Sequence, residues 1–483
     1  MSTFQLQRCI DLNPSKKDFQ DLMDKAKDWA LMHGMCMRSK TNFNKNQVQI
    51  APFALLPSSF PKKFYDKVKD VQVLLNKLTH KVAHDDHFIR RTLKGTIEVD
   101  DFTARLFNIY ETVYNEGFAQ DISLGLLRSD YLLHDGIDKG IKQVELNTIA
   151  SSFAGLSTVV SQYHRYILME LGHADKLQFL PLNNPVNGFA KGLIEAWSLY
   201  NDNKAVILIV VENITYNISD QRFHEFEVRK LNPAIKVIRR SLSALVLDAQ
   251  LGPNKELIVD NLVVAVVYFR SGYELQAYPT EKEWDVRLLI ERSKAIKCPS
   301  IQYHLAGTKK IQQALVEPSV LNRFIEEPHA VAKIQEVFTG LYSLDFNVEA
   351  EKIITKAINE PEKYVLKPQR EGGGNNVYDE NIKKYLTKMR NSKERTAWIL
   401  MDRINPPSQK NSLISSTNDV NHDELILSDV ISELGIYGVI IGNRTDILYN
   451  EKCGHILRTK MSDENEGGII QGSGVLDSPY LVK

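Results

Sequence analysis

Apolar residues recur at spacings of three and four through Phe64, Val68, Val71, Leu75, Leu78 and Val82, which predicts an amphipathic helix over 64–82 with one packed face. Ser15 followed by Asp18 reads as a capping pair that opens a helix running to about Met32, and 101–114 reads as another helix. At 142–147 (KQVELN) the pattern shortens to a strand. From Lys204 the rhythm changes. AVILIVV (205–211), 235–238 and LVVAVVYF (262–269) are strand candidates, with a helix over 220–231 between the first two. Continuously apolar strands alternating with helices predict a parallel sheet covered on both faces. Ligands of such sheets sit at the carboxyl ends of the strands, where Arg270 and Tyr273 fall. Beyond this region, 309–315 and 327–341 read as helices and 364–368, 398–401 and 435–441 as strands. The stretch 405–421, rich in Pro, Ser and Asn, reads as a surface loop.

Composition narrows the class. The 483 residues carry 60 Lys and Arg against 60 Asp and Glu, so the formal charge is zero and a broad polyanion-binding surface is excluded; no nucleic-acid partner is expected. A small basic pocket inside a balanced whole is still allowed. The hydrophobic share of 43% is that of a globular chain, and the length suits roughly two to four domains. The longest apolar run, near 205–211, is far short of the ~20 residues a membrane span needs, so no membrane partner is expected. MSTFQLQRCIDLNPSKK has no signal-peptide core, which favours the cytoplasm, with secretion the alternative had a signal been removed ahead of Met1. Cys9, Cys36, Cys298 and Cys453 form no CxxC pair and fit a reducing compartment.

Three stretches carry candidate chemistry. In YVLKPQREGGGNNVY (364–378) a strand delivers Lys367 and Arg370, Glu371 follows, and three glycines lead into two asparagines. Glycines let backbone N–H groups approach phosphate oxygens, adjacent cations neutralise them, and a carboxylate suits magnesium. The structural alternative is a plain glycine turn. Glu145 and Asn147, two apart on a strand, share one face. They make a magnesium site only if Glu371 is brought near; alone they are a solvated strand face. Arg458 and Lys460 precede a second glycine-bearing loop and, at the same spacing, can aim into one pocket or simply face water. No HExxH, GxSxG or kinase HRD/DFG set is present, which removes metalloprotease, acyl-hydrolase and kinase readings.

Taken together, LGLLRSDY (124–131), VELNTIASSFAGL (144–156), SDQR (219–222), VVYFRSGY (266–273), LAGTKKIQQ (305–313), KPQREGGGNN (367–376), ISELGIYG (431–438) and GHILRTK (454–460) closely resemble the eukaryotic glutathione synthetases of the ATP-grasp superfamily. The resemblance implies an α/β ATP-grasp body with glycine-rich lid loops and an inserted, smaller parallel-sheet substrate domain. The expected division is 1–203 for the N-terminal part of the body, 204–305 for the substrate domain and 306–483 for the ATP-binding body and lid. It implies a homodimer and ATP-dependent joining of γ-glutamylcysteine to an amino-acid acceptor, glycine in the family, through an acyl phosphate. Carried over by position, Glu145, Asn147 and Glu371 would hold two magnesium ions. Glu145, Lys309, Lys367, Gly372, Gly373, Gly374, Asn375, Asn376, Tyr378, Met401, Glu433, Lys460 and Glu466 would surround ATP. Arg128, Ser151, Ser152, Asn217, Gln221, Arg270, Tyr273 and Arg458 would hold the dipeptide, with Ile469 and Ile470 at the acceptor. Arg128, Lys309, Lys367, Arg458 and Lys460 would do the electrostatic work of catalysis.

The departures from the family pattern fall on substrate residues. The acceptor loop reads GGIIQG (467–472), with Ile470 and Gln471 where alanines are usual. Thr215 stands for a glutamate, Ala150 for a serine and Glu466 for an aspartate. Three readings stay open at this point: unchanged activity, a ligase with another acceptor or dipeptide, and a secreted, effector-like protein with little ligase activity.

Overall fold

The computed structural model describes residues 4, 6–12, 15–136, 139–416 and 426–483. Its centre is an eight-stranded sheet built on a long antiparallel hairpin, Ser428–Gly442 with Ile447–Met461. Ser123–His134 pairs antiparallel with the outer side of the first hairpin strand, and Gly140–Asn147 pairs in turn with Ser123–His134. Three registers matter below: Glu433 faces Arg458, Gly435 faces Asp130, and Asp130 faces Glu145. Residues far apart in the chain therefore lie side by side on one sheet.

The Phe64 pattern forms Lys62–Ala83, whose buried residues include all six of its predicted apolar positions, and the helix packs on the hairpin. Ser15 caps Lys16–Met32 by accepting from the Asp18 N–H at 3.3 Å. A second, six-stranded sheet contains Val206–Val211, buried at every position, between Val237–Ser241 and Leu262–Phe269, all parallel. Ile296–Cys298 extends the parallel part, while Leu257–Val259 and Ala249–Leu251 add antiparallel strands. A third, antiparallel sheet of Leu341–Ser343, Trp398–Asp402 and Tyr364–Pro368 has a core of its own, closed by helices Val348–Asn359 and Glu380–Met389.

Two expectations are corrected. The helix read over 327–341 is Pro328–Val337; Phe338 turns to extended backbone, and Leu341–Ser343 joins the third sheet instead. The loop read over 405–421 contains strands Gln409–Asn411 and Leu413–Ile414. Asn411 Nδ2 there donates to Leu56 O and Ser58 Oγ, each at 2.9 Å, so polar residues that look like loop are buried by tertiary hydrogen bonds. Residues 417–421 of that stretch lie outside the described residues.

Candidate active site

A cleft of about 1140 Å³ is lined by residues of the three larger sheets and the loops between them. Arg128 and Asn147 reach it from neighbouring strands of the central sheet, and Glu433, Arg458 and Lys460 from the hairpin. Lys367 and Met401 come from the third sheet, and Lys309 from the first position of helix Lys309–Leu315. Glu371, Gly372, Gly373, Asn375, Asn376, Tyr378, Glu466, Ile469 and Ile470 line it from the two glycine-bearing loops, and Glu145, Ser152, Asn217 and Tyr273 complete the predicted residues there. Ser151, Gln221, Arg270 and Gly374 are not among the lining residues.

The charges are mutually dependent. Burial pushes the Glu145 carboxyl up, but Lys309, Lys367, Arg458 and Arg128 outweigh it and hold its pKa at about 2. Lys309 loses hydration, yet Glu371 and Glu145 keep its pKa above the usual value; its Nζ donates to Arg370 O at 2.6 Å and lies 3.6 Å from Glu371. Lys367 goes the other way: burial lowers its pKa, Glu145 opposing, and its Nζ donates to Val144 O at 3.0 Å. Burial raises the pKa of Glu371 against the pull of Lys309, with the charge of Glu145 adding to the rise. Two lysines and two carboxylates thus share a site short of water, where a polyanion with its counter-cation would complete the balance.

The two loops meet at Glu466. Its carboxylate accepts from Gly374 N–H, from Asn376 N–H at 3.3 Å and from the Tyr378 hydroxyl at 3.4 Å. Gly374, at φ 89°, and Gly372, at φ 84°, occupy backbone conformations that side chains disfavour, which is why this turn is written in glycine.

Two residues that sequence reasoning passed over organise the rest. Asp130, fully buried, accepts from Arg128 Nε at 2.6 Å and Nη2 at 2.7 Å, from Asn147 Nδ2 at 2.9 Å and from Arg458 Nη2 at 3.0 Å. Asp220, also fully buried, accepts from Arg270 Nη2 at 2.9 Å and from the N–H groups of Phe153 and Gly155. Both lie inside motifs already quoted, and Asp130 stands two residues after Arg128 on the same strand face, the one signal available. Arg270 is itself buried and donates to Ser152 Oγ at 3.0 Å, so it holds the turn that lines the cleft. Gln221 likewise donates to Asn217 Oδ1 at 3.0 Å.

Residues 16–481 match the family model described as eukaryotic glutathione synthase, ATP binding domain. The chain is 42% identical to a glutathione synthetase of Xenopus laevis over 476 residues, covering 98% of this chain and 99% of that protein. It is 40% identical to a glutathione synthetase of Homo sapiens, covering 97% and 98%. A solved glutathione synthetase-like effector from Globodera pallida has the same fold, with a TM-score of 0.77 over 97% of this chain and 98% of that one at 24% identity. The chain belongs to the eukaryotic glutathione synthetase family.

Proposed function

We propose that this chain makes glutathione. The cysteinyl carboxylate of γ-glutamylcysteine takes the γ-phosphoryl group of ATP, releasing ADP, and the glycine amine then displaces phosphate from the acyl phosphate. The observation that carries this reading is one cleft shared by Lys309, Lys367, Arg128, Arg458, Glu145 and Glu371 in a chain about 40% identical, over nearly its full length, to glutathione synthetases.

Phosphoryl transfer between a nucleotide and a carboxylate brings anions together, so most of the catalysis is positioning and charge compensation. In this reading Lys309, Lys367, Lys460 and the 372–376 backbone hold the ATP phosphates, with Tyr378 and Met401 beside the nucleotide. Arg128 and Arg458 offer guanidinium donors to the dipeptide's carboxylates. Ser152, Asn217 and Tyr273 contact the dipeptide directly, while Ser151, Gln221 and Arg270 act from behind them. Glu212 and Glu274 line the cleft with Asn217 and supply negative charge for the dipeptide's ammonium group. Thr215 does not: its hydroxyl is buried and lies 3.5 Å from Arg239 Nη2. The Glu466 latch between the glycine-bearing loops keeps water from the acyl phosphate.

Two magnesium ions belong to the proposal. Glu145, Asn147 and Glu371 are all oxygen donors, as magnesium requires. Glu145 stays ionised, and Asn147 commits its Nδ2 to Asp130 Oδ2 and Arg128 O, which leaves Oδ1 as its ligating atom. Among the described residues no three His, Cys, Asp or Glu side chains gather as a metal-ligand group, so phosphate oxygens and water would fill the remaining positions. When bound, magnesium supplies positive charge against the phosphate oxygens.

We also assign the division at about 204 and 305, a homodimer and a cytoplasmic location. The last rests on four unpaired cysteines; no helix among the described residues is long and apolar enough to cross a membrane. A second reading, a different acceptor amino acid, is favoured by Ile470 and Gln471 lining the cleft. One assay separates the two: ADP and tripeptide formation from ATP, magnesium and γ-glutamylcysteine with glycine, β-alanine, serine, glutamate or no acceptor. Turnover with glycine above the others supports glutathione synthesis; turnover with another amine alone replaces glycine, and none with any acceptor refutes the ligase.

A further inference from the structure

We infer that Asp130, which does not itself line the cleft, is the positioning residue for the dipeptide-binding arginines, locking Arg128 and Arg458 side by side. The inference rests on the functional reading above. Three strands converge on this one carboxylate: Ser123–His134 through Arg128, Gly140–Asn147 through Asn147, and Ile447–Met461 through Arg458. Each of those three donors lines the cleft, and Asp130 is 0% exposed behind them.

Physical chemistry gives the arrangement a purpose. Two guanidinium groups brought close in a site poor in water repel each other, and each has long side-chain freedom to move apart. A buried carboxylate between them removes the repulsion. Its bidentate contact with Arg128 uses Nε and Nη2, leaving Nη1, which donates to Ser152 O at 3.2 Å, on the side of the cleft-lining turn. Asp130 Oδ2 is shared by Arg128, Arg458 and Asn147, and Arg458 Nη2 also donates to Glu433, so displacing the Asp130 carboxylate frees Arg128 and Asn147 and leaves Arg458 held from one side alone.

The partner strand is shaped around this group. Gly435 faces Asp130 in register, and a Cβ there would come within 2.6 Å of Asp130 Oδ1, 2.7 Å of Ile456 Cγ2 and 2.9 Å of Arg128 Cδ. The φ of Gly435 is not in the left-handed region, so crowding by Asp130, Ile456 and Arg128, and not backbone freedom, is what requires a glycine.

The test uses the full-length protein and isothermal titration with γ-glutamylcysteine, and separately with magnesium-free ATP, because Asn147, a proposed magnesium ligand, also donates to Asp130. Asp130→Asn keeps the shape and removes the charge. The expected result is dipeptide binding weakened by about tenfold or more, with ATP affinity within about twofold of wild type. Gly435→Ala changes no charge and crowds the same carboxylate, and should weaken dipeptide binding selectively by a smaller factor. A wild-type dipeptide Kd in either folded variant overturns the inference, as does equal loss of both ligands, which marks a merely structural role. Failure of Asp130→Asn to fold also marks that structural role if Gly435→Ala spares dipeptide binding. Failure of the wild type to bind the dipeptide overturns the functional reading, and this inference with it.

Discussion

Arg270 Nη2 donates to Asp220 Oδ2 at 2.9 Å, with the arginine 2% and the aspartate 0% exposed. Neither charge has water to fall back on, and Arg270 Nε has no hydrogen-bond partner among the described residues. Asp220 also fixes the N–H groups of Phe153 and Gly155, at the start of helix Ala154–Glu170. Asp220→Ala should therefore lower stability by about 3–5 kcal/mol, because it strands a buried guanidinium. Urea unfolding followed by circular dichroism measures it; a loss within about 1 kcal/mol, the range of an exposed pair, would refute the argument.

A second buried acid makes stability depend on pH. Burial pushes Asp477 up to about 7, although it accepts from four donors. The folded pKa lies above the unfolded value, so the folded chain binds the extra proton: this stabilising contribution is complete below the unfolded pKa near 3.8 and is lost as pH rises through about 7. Oδ1 accepts from two backbone N–H groups, while Oδ2 accepts from the Ser58 and Thr459 hydroxyls, which can also act as acceptors. Asp477→Asn can place its amide N–H groups there. The variant should match or exceed wild type above pH 7 and flatten the fall in thermal midpoint between pH 5 and pH 8 expected from this group (roughly the titration window).

In the cleft wall, Glu212 accepts from Gln221 Nε2 at 3.1 Å, and its charge helps burial raise the pKa of Glu274. An arriving ammonium group would relieve that repulsion. Glu212→Gln should raise KM for γ-glutamylcysteine by about fivefold to tenfold and leave kcat and the ATP KM nearly unchanged, as expected for a residue that binds ground and transition states alike. A fall in kcat at unchanged KM would place Glu212 elsewhere in the reaction.

Lys367 lines the cleft from a strand whose five residues are all buried, and its Nζ donates to Val144 O. Lys367→Met removes a fixed cation from the site of phosphoryl transfer and should lower kcat by about a hundredfold to a thousandfold. Steady-state ADP release gives the number. Retention of wild-type kcat would remove Lys367 from the proposed chemistry.

Ile470 is half-buried in the cleft wall, and Gln471 Nε2 lies 3.8 Å from where a Cβ on Gly373 would stand, so the two loops approach each other at the departures from the family pattern. Ile470→Ala combined with Gln471→Ala should reduce KM for glycine or raise kcat. Glycine titrations at saturating dipeptide check it, and unchanged constants would mean that these side chains do not set acceptor use.

Much of this site can be read from the chain alone. The 64–82 periodicity, the apolar strands 206–211 and 262–269, and the glycine run beside Lys367 are local patterns, and local sterics and burial decide them. Motif order was enough to identify the family. The roles of Asp130 and Asp220 were scarcely legible, because apart from the spacing of Arg128 and Asp130 on one strand face, an aspartate in a strand or a helix has no local mark of its distant partners. Asp130 meets Arg458 only because strands separated by 328 positions adopt one register, and Asp220 meets Arg270 across 50. The buried strands inside 405–421 were hidden for the same reason, since hydrogen bonds to residues near 56–59 pair polar side chains that composition alone assigns to water. Sequence determined which groups the protein carries and the local elements that bear them. Tertiary structure decided which charges share a site short of water, and there each group's charge state and orientation depend on neighbours that only folding supplies.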